Sequence, residues 1–224
     1  MNPIMSLLTA ALISSGLLTS HHTLPISGNL KTEIQHLSQA APSLNQRVLT
    51  LALTAYKKAA AHGDVKNPKL TVIDYSIPSS KPRMWVFDLA SDRLLYHTQV
   101  AHGANSGMDV PHHFSNDSSS HATSLGTFIT RDIYMGHKGY SLNLKGLERG
   151  FNDHALERRV VVHGAWYMNS DFIKKTGRAG RSWGCPAIAT YLAKPLINTI
   201  KNGSVVFAYY PDKNYLSHSA YVMA

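Results

Sequence analysis

Seven short runs rich in β-branched and aromatic residues recur between positions 69 and 210 of this 224-residue chain, each closed off by proline, serine, aspartate or glycine. They are KLTVIDYS (69–76), RMWVFDLA (83–90), RLLYHTQVAHG (93–103), GTFIT (126–130), YSLNL (140–144), RVVVH (159–163) and SVVFAYY (204–210). Runs of this length and composition read as strands, so a sheet must be the main structure. The second and third are separated by little more than Ser91–Asp92 and predict a hairpin. The segment ANSGMDVPHHFSNDSSSHATS, 104–124, is too long and polar for a plain connection. Loops of that size are functional or unstructured.

A helix is written ahead of the strands. Ser43 and Gln46 have capping-box spacing, Leu44, Val48, Leu51, Ala52, Ala55 and Ala59 recur at the helical period, and Gly63 marks the stop. A shorter helix is expected from Pro195 to Asn202, with proline in its first turn and Gly203 beyond its end. The fold class is therefore mainly β, with a few short helices and one N-terminal helix. Its expected limits are 43–212, preceded by a connector at 21–42 with room for one short helix and followed by a tail at 213–224. Residues 4–18 form an apolar run of the length of a signal-peptide core. A membrane span needs about 20 apolar residues, so residues 1–20 are read as an export signal. The mature chain is then periplasmic or otherwise in the cell envelope, with no membrane span.

Lysine and arginine outnumber the acids 22 to 13, a formal charge of +9. Such a balance favours an anionic partner. The basic residues are scattered, dense only in KKTGRAGR (174–181), and no nucleic-acid-binding motif accompanies them. Nucleic acid is not expected.

The one cysteine, Cys185, lies in GRSWGCPAIA (180–189) and has no partner for an internal disulfide. Two readings are open. It is a small buried apolar residue, the commoner fate of a solitary cysteine, or a nucleophile activated by an imidazole. His163 ends a β-branched run just before Gly164, where a strand delivers a side chain to a sheet rim. Gly184 lets the backbone bend so that successive N–H groups converge, as an oxyanion requires. Trp166, Tyr167, Tyr134 and Tyr140 flank this region; aromatic residues in strand-rich segments favour the core over a groove lining. Asn152 and Asp153 either orient His163 or cap a turn. His112, His113 and His121 share the long loop, and His102 with Asp109 gives a His-x6-Asp spacing. The second acid-x-x-His element that a zinc peptidase of that kind needs is missing, so no metal and no cofactor are expected.

The pair HGAWY…GRSWGCPA resembles the His-Gly…Ser-x-Gly-Cys signature of the YkuD-type L,D-transpeptidase catalytic domain, in its murein L,D-transpeptidase branch. TVIDYSIPSSKPRMWVFDL, VAHGANSG, FSNDSSSHATSLGTF and GYSLNLKGLERGFNDHALERRVVVHGA are similar to that branch in the same order, over about residues 44–212. The resemblance implies a YkuD-like β-sandwich and a cysteine enzyme acting on peptidoglycan stem peptides. It makes Cys185 the nucleophile that attacks the carbonyl between an L-centre and a D-residue, and His163 the base and later acid. Ser182, Trp183 and Gly184 become the turn whose backbone supports the oxyanion. The commonest signature has a second histidine before Gly-Cys and a polar residue after it; here Trp183 and Pro186–Ala187 stand instead. Arg178 or Arg181 then either grips a substrate carboxylate or is surface charge, with Gly164 and Tyr140 as further substrate-contact candidates. Acyl transfer, hydrolysis of the same substrate and catalytically silent wall binding all remain open.

Overall fold

The computed structural model describes residues 29–223. Its strands are β1 Lys69–Asp74, β2 Met84–Asp88, β3 Arg93–Thr98, β4 Gly126–Gly136, β5 Gly139–Gly146, β6 Val161–Ala165, β7 Ala187–Ala189 and β8 Val205–Tyr209. They form one eight-stranded sheet in the order β3-β2-β1-β8-β4-β5-β6-β7. Neighbours are antiparallel except β1 with β8 and β6 with β7. The β2–β3 hairpin turns where Asp92 takes a positive φ of 52°. Each of the seven runs contributes a strand.

The sheet nearly closes on itself, because its two edges meet. Beyond β3 the chain crosses to the segment that ends in β7. Ala101 N–H donates to Ala187 O (2.8 Å), Ser182 N–H to His102 O (2.9 Å) and Ala104 N–H to Ser182 O (2.7 Å). Closure hides edge groups that would otherwise be unpaired. It also explains why the 93–103 run is strand only as far as Thr98: its remainder belongs to the seam.

The helices are α1 Leu30–Ala40, α2 Gln46–Ala61, α3 Ser170–Thr176, α4 Thr190–Ile200 and α5 Lys213–His218. The α2 cap is Asn45 rather than Ser43: its Oδ1 accepts from the N–H groups of Arg47 (2.9 Å) and Val48 (3.4 Å). Val48, Leu49, Ala52, Leu53, Ala55, Tyr56 and Ala59 form its buried stripe. α1 falls within 21–42 and packs on α2 with Leu37 fully buried. α4 begins five residues earlier than proline at a first turn implies, with Pro195 inside it. Proline there removes the bond to the Tyr191 carbonyl. α5 buries Tyr215, whose hydroxyl donates to Glu148 Oε1 (3.1 Å). Residues 1–20, read as a signal, lie outside the described residues. Among the described residues no helix is long and apolar enough to cross a membrane.

Candidate active site

β6 brings His163 to the end of the sheet beside β7, opposite Ser141 on β5 and Ala187 on β7. The side chain is buried, and its Nδ1 lies 2.9 Å from the Gly164 carbonyl oxygen. A carbonyl only accepts, so Nδ1 carries the proton and Nε2 of the neutral ring is an acceptor. Burial holds the imidazole below its ordinary pKa, and the nearby Lys138 and His137 act in the same direction. Gly164 faces the other way. A Cβ there would come within 3.0 Å of Ala193 Cβ and 3.2 Å of Thr190 Cα, so glycine lets α4 pack closely on β6.

Cys185 sits on a turn that serine and glycine define. Gly184 has φ +111°, and a Cβ on it would lie 2.7 Å from the Ala122 carbonyl oxygen, so both conformation and space demand glycine. Ser182 Oγ donates to Cys185 O (2.7 Å) and accepts from Gly184 N–H (3.1 Å). The half-buried Cys185 places its Sγ 3.6 Å from the carbonyl oxygen of Arg159, two residues before β6. Burial pushes the thiol up from its ordinary pKa, and the Val161 N–H, Lys138 and Arg158 pull it down. Burial thus disfavours the thiolate and the imidazolium alike. Gly184→Ala is expected to fold but to misplace Sγ, lowering turnover roughly 10²-fold. Comparing kcat with the thermal midpoint checks this.

Cys185 and His163 line one cavity of about 520 Å³, together with Tyr134, Lys138, Arg158, Tyr167, Arg181 and Trp183. Ser182 lines it too. Arg181 is partly engaged, since its Nη1 donates to Ala104 O (3.0 Å) and Gly107 O (3.2 Å). Arg178 and Tyr140 are not brought to this cavity. Tyr140 is one residue from Ser141, the partner of His163, so strand alternation turns it to the opposite face, where its hydroxyl donates to Asn198 Oδ1 (2.7 Å). Trp166 is no core residue; it is 68% exposed. Asn152 does not reach His163. Its Nδ2 donates to Leu125 O (3.0 Å) and Thr127 O (3.1 Å), while Asp153 Oδ1 accepts from Gly150 N–H (2.7 Å) in a turn.

Arg158 escaped the sequence reading. Its guanidinium reaches the carbonyls of Ser115 (2.7 Å) and Ala122 (2.7 Å) and the hydroxyls of Ser124 (2.5 Å) and Ser120 (3.1 Å). It therefore fastens the long loop behind the cysteine turn while its charge acts on the thiol. The loop does not line the cavity; it supports the turn, with His121 stacked on Trp183 at 4.5 Å between ring centres and 8° between planes.

Behind the turn lies a second buried group. Arg83 donates through Nε and Nη2 to Val100 O (3.0 and 2.8 Å), through Nη1 to Ile77 O (2.8 Å) and through Nη2 to His102 Nδ1 (2.8 Å). Burial, then the Arg83 charge, lowers the His102 pKa from 6.5 to about 4. Its Nε2–H consequently donates to Gly107 O (3.3 Å), so both ring nitrogens are occupied. Because the folded pKa is depressed, this group's stability is complete above pH 6.5 and is lost as pH falls towards 4. The loss amounts to about 3 kcal/mol. Urea unfolding at pH 7 and pH 4 is expected to show it, with a shallower difference in His102→Asn.

A search among curated protein sequences finds no match. Matches among solved structures include an L,D-transpeptidase, LdtMt1, in complex with imipenem, at 14% identity and a TM-score of 0.40, covering 64% of this chain and 59% of that one. An L,D-transpeptidase from Mycobacterium smegmatis gives 15%, 0.40, 64% and 59% by the same measures. One from Stackebrandtia nassauensis gives 14%, 0.39, 84% and 69%. The chain thus spans 59% of the length of the first two. The profile of the L,D-transpeptidase catalytic domain matches residues 40–209, well over half of the chain. That match settles kinship: the chain belongs to the YkuD-type L,D-transpeptidase catalytic domain family.

Proposed function

We propose that this protein is a cysteine acyltransferase acting on peptidoglycan stem peptides. The observation that carries the reading is the His163 Nδ1–Gly164 O hydrogen bond, which leaves Nε2 as an acceptor in the cavity that also holds the Cys185 thiol. Nε2 takes the thiol proton as Sγ attacks the carbonyl carbon between the L-centre of a diamino acid and the D-residue that follows. The C–N bond then breaks and His163 returns the proton to the leaving amine. In the second half an acceptor amine attacks the thioester, gives its proton to His163, and Sγ departs as thiolate to be reprotonated. Gly184 N–H is engaged by Ser182. Among the described residues the N–H groups of Trp183 and Cys185 have no acceptor, so these two serve the oxyanion. Lys138 and Arg158 steady the thiolate. Arg181, on the cavity wall, meets a stem-peptide carboxylate. The formal charge of +9 suits an anionic wall polymer in the cell envelope.

Incubation with disaccharide-tetrapeptide, with products resolved by mass, tests this reading. Crosslinked dimers or D-amino-acid exchange products support transfer. Tripeptide alone makes the protein a hydrolase of the same bond, and unaltered substrate sinks the enzymatic reading.

A further inference from the structure

Next to the catalytic cavity lies a shallow basin of about 250 Å³ floored by Trp166, Tyr167 and Phe172 and flanked by Arg178 and Arg181. Tyr167 and Arg181 line both depressions, so the two adjoin. Trp166 is two-thirds exposed, an unusual position for the largest apolar side chain. It is also held in place: Phe172 meets it edge to face at 5.3 Å and 89°, and Tyr167 at 5.8 Å and 76°. A rigid, bare indole offers a flat apolar face at little entropic cost. Two cations, Arg178 and Arg181, line the basin with it. Arg178 uses only Nη1, on Ala179 O (2.9 Å), among the described residues.

We propose that this shelf is a saccharide subsite, in which a pyranose ring of the wall-polymer strand stacks on Trp166 while Arg178 donates hydrogen bonds to its oxygen substituents. The proposal rests on the stem-peptide reading of the cavity, because adjacency across Tyr167 and Arg181 lets one strand reach both places: peptide at the thiol, sugar on the indole. A protein partner would cover the indole with apolar side chains and has less use for a rim of cations. A pyranose on an anionic polymer uses both. Arg178 then has a function outside the reacting centre.

The test measures binding by calorimetry to the full chain carrying Cys185→Ala, which removes turnover from the readout. The probes are disaccharide-tetrapeptide, the same tetrapeptide without sugars, and an N-acetylglucosamine tetramer. The sugar-bearing ligand is expected to bind roughly three- to tenfold more tightly than the bare peptide, the range an aromatic contact supplies. Adding Trp166→Ala erases that advantage and leaves the affinity for bare peptide unchanged, while Trp166→Phe keeps part of it. Equal affinities for the two peptides overturn the proposal. So does an equal loss for both in Trp166→Ala, which would make the shelf a peptide site. Trp166-dependent binding of the tetramer without binding of the bare tetrapeptide keeps the subsite and sinks the stem-peptide reading.

Discussion

Cys185→Ala is expected to lower muropeptide turnover by more than about 10³-fold while leaving stability almost unchanged. The two halves of that result have separate causes. The turn is shaped by Ser182 Oγ on Cys185 O and Gly184 N–H, and by Gly184 itself, none of which uses the sulfur. The thiol's own contact is a long one to Arg159 O at 3.6 Å. Deleting it removes the nucleophile and little else. Mass analysis of products gives the first half and a urea titration the second. Turnover above about one per cent of wild type would assign the chemistry to another group.

His163→Gln is expected to reduce kcat by roughly 10²- to 10⁴-fold, the usual worth of a positioned base. It should also change the pH profile in a way that a merely structural loss would not. On the proposed mechanism the wild-type imidazole must be neutral to accept the thiol proton. Burial sets its pKa below the ordinary 6.5, so activity rises across an acid limb below that value and is flat through neutrality. In the variant no imidazole accepts the proton, and the residual rate waits for the thiol to ionise by itself. Because burial raises the thiol from its ordinary 9.0, that residual rate climbs on the alkaline side. A variant profile that keeps the wild-type acid limb would remove His163 from the role of base.

The elements that could be read in the sequence are those whose signal is local. The strand runs carry their own β-branched pattern, and α2 carries its own apolar stripe. β7 could not be read: Ala-Ile-Ala is three residues without alternation, and it is a strand only because β6 lies parallel to it and Ala101 caps its edge. The start of α4 was hidden by Pro195, which ordinarily marks a first turn but here lies five residues inside the helix. The site divides along the same line. Cys185, His163 and the Ser182–Gly184 turn form a compact signature. Arg158 acts through acceptors on a loop 34 to 43 positions away, a relation that no spacing along the chain encodes. Trp166 looked like core because strand-flanking aromatics usually are; nothing local announces that its neighbours support it from the side and leave its face bare.

The seam between Ala101–Ala104 and Ser182–Ala187 has a consequence for when the Cys185 turn is assembled. Its hydrogen bonds join groups some 80 positions apart, as between His102 and Ser182, and they shape the very turn that presents the sulfur. Contacts of such sequence separation demand a large loop closure and come slowly. A nascent or partly unfolded chain therefore holds a thiol and an imidazole but no assembled pair, and its cysteine behaves as an ordinary one. The turn takes its final shape only when the two margins of the sheet meet. A fold that completes its cysteine turn by closing its own edge ties the shape of that turn to the integrity of the whole domain.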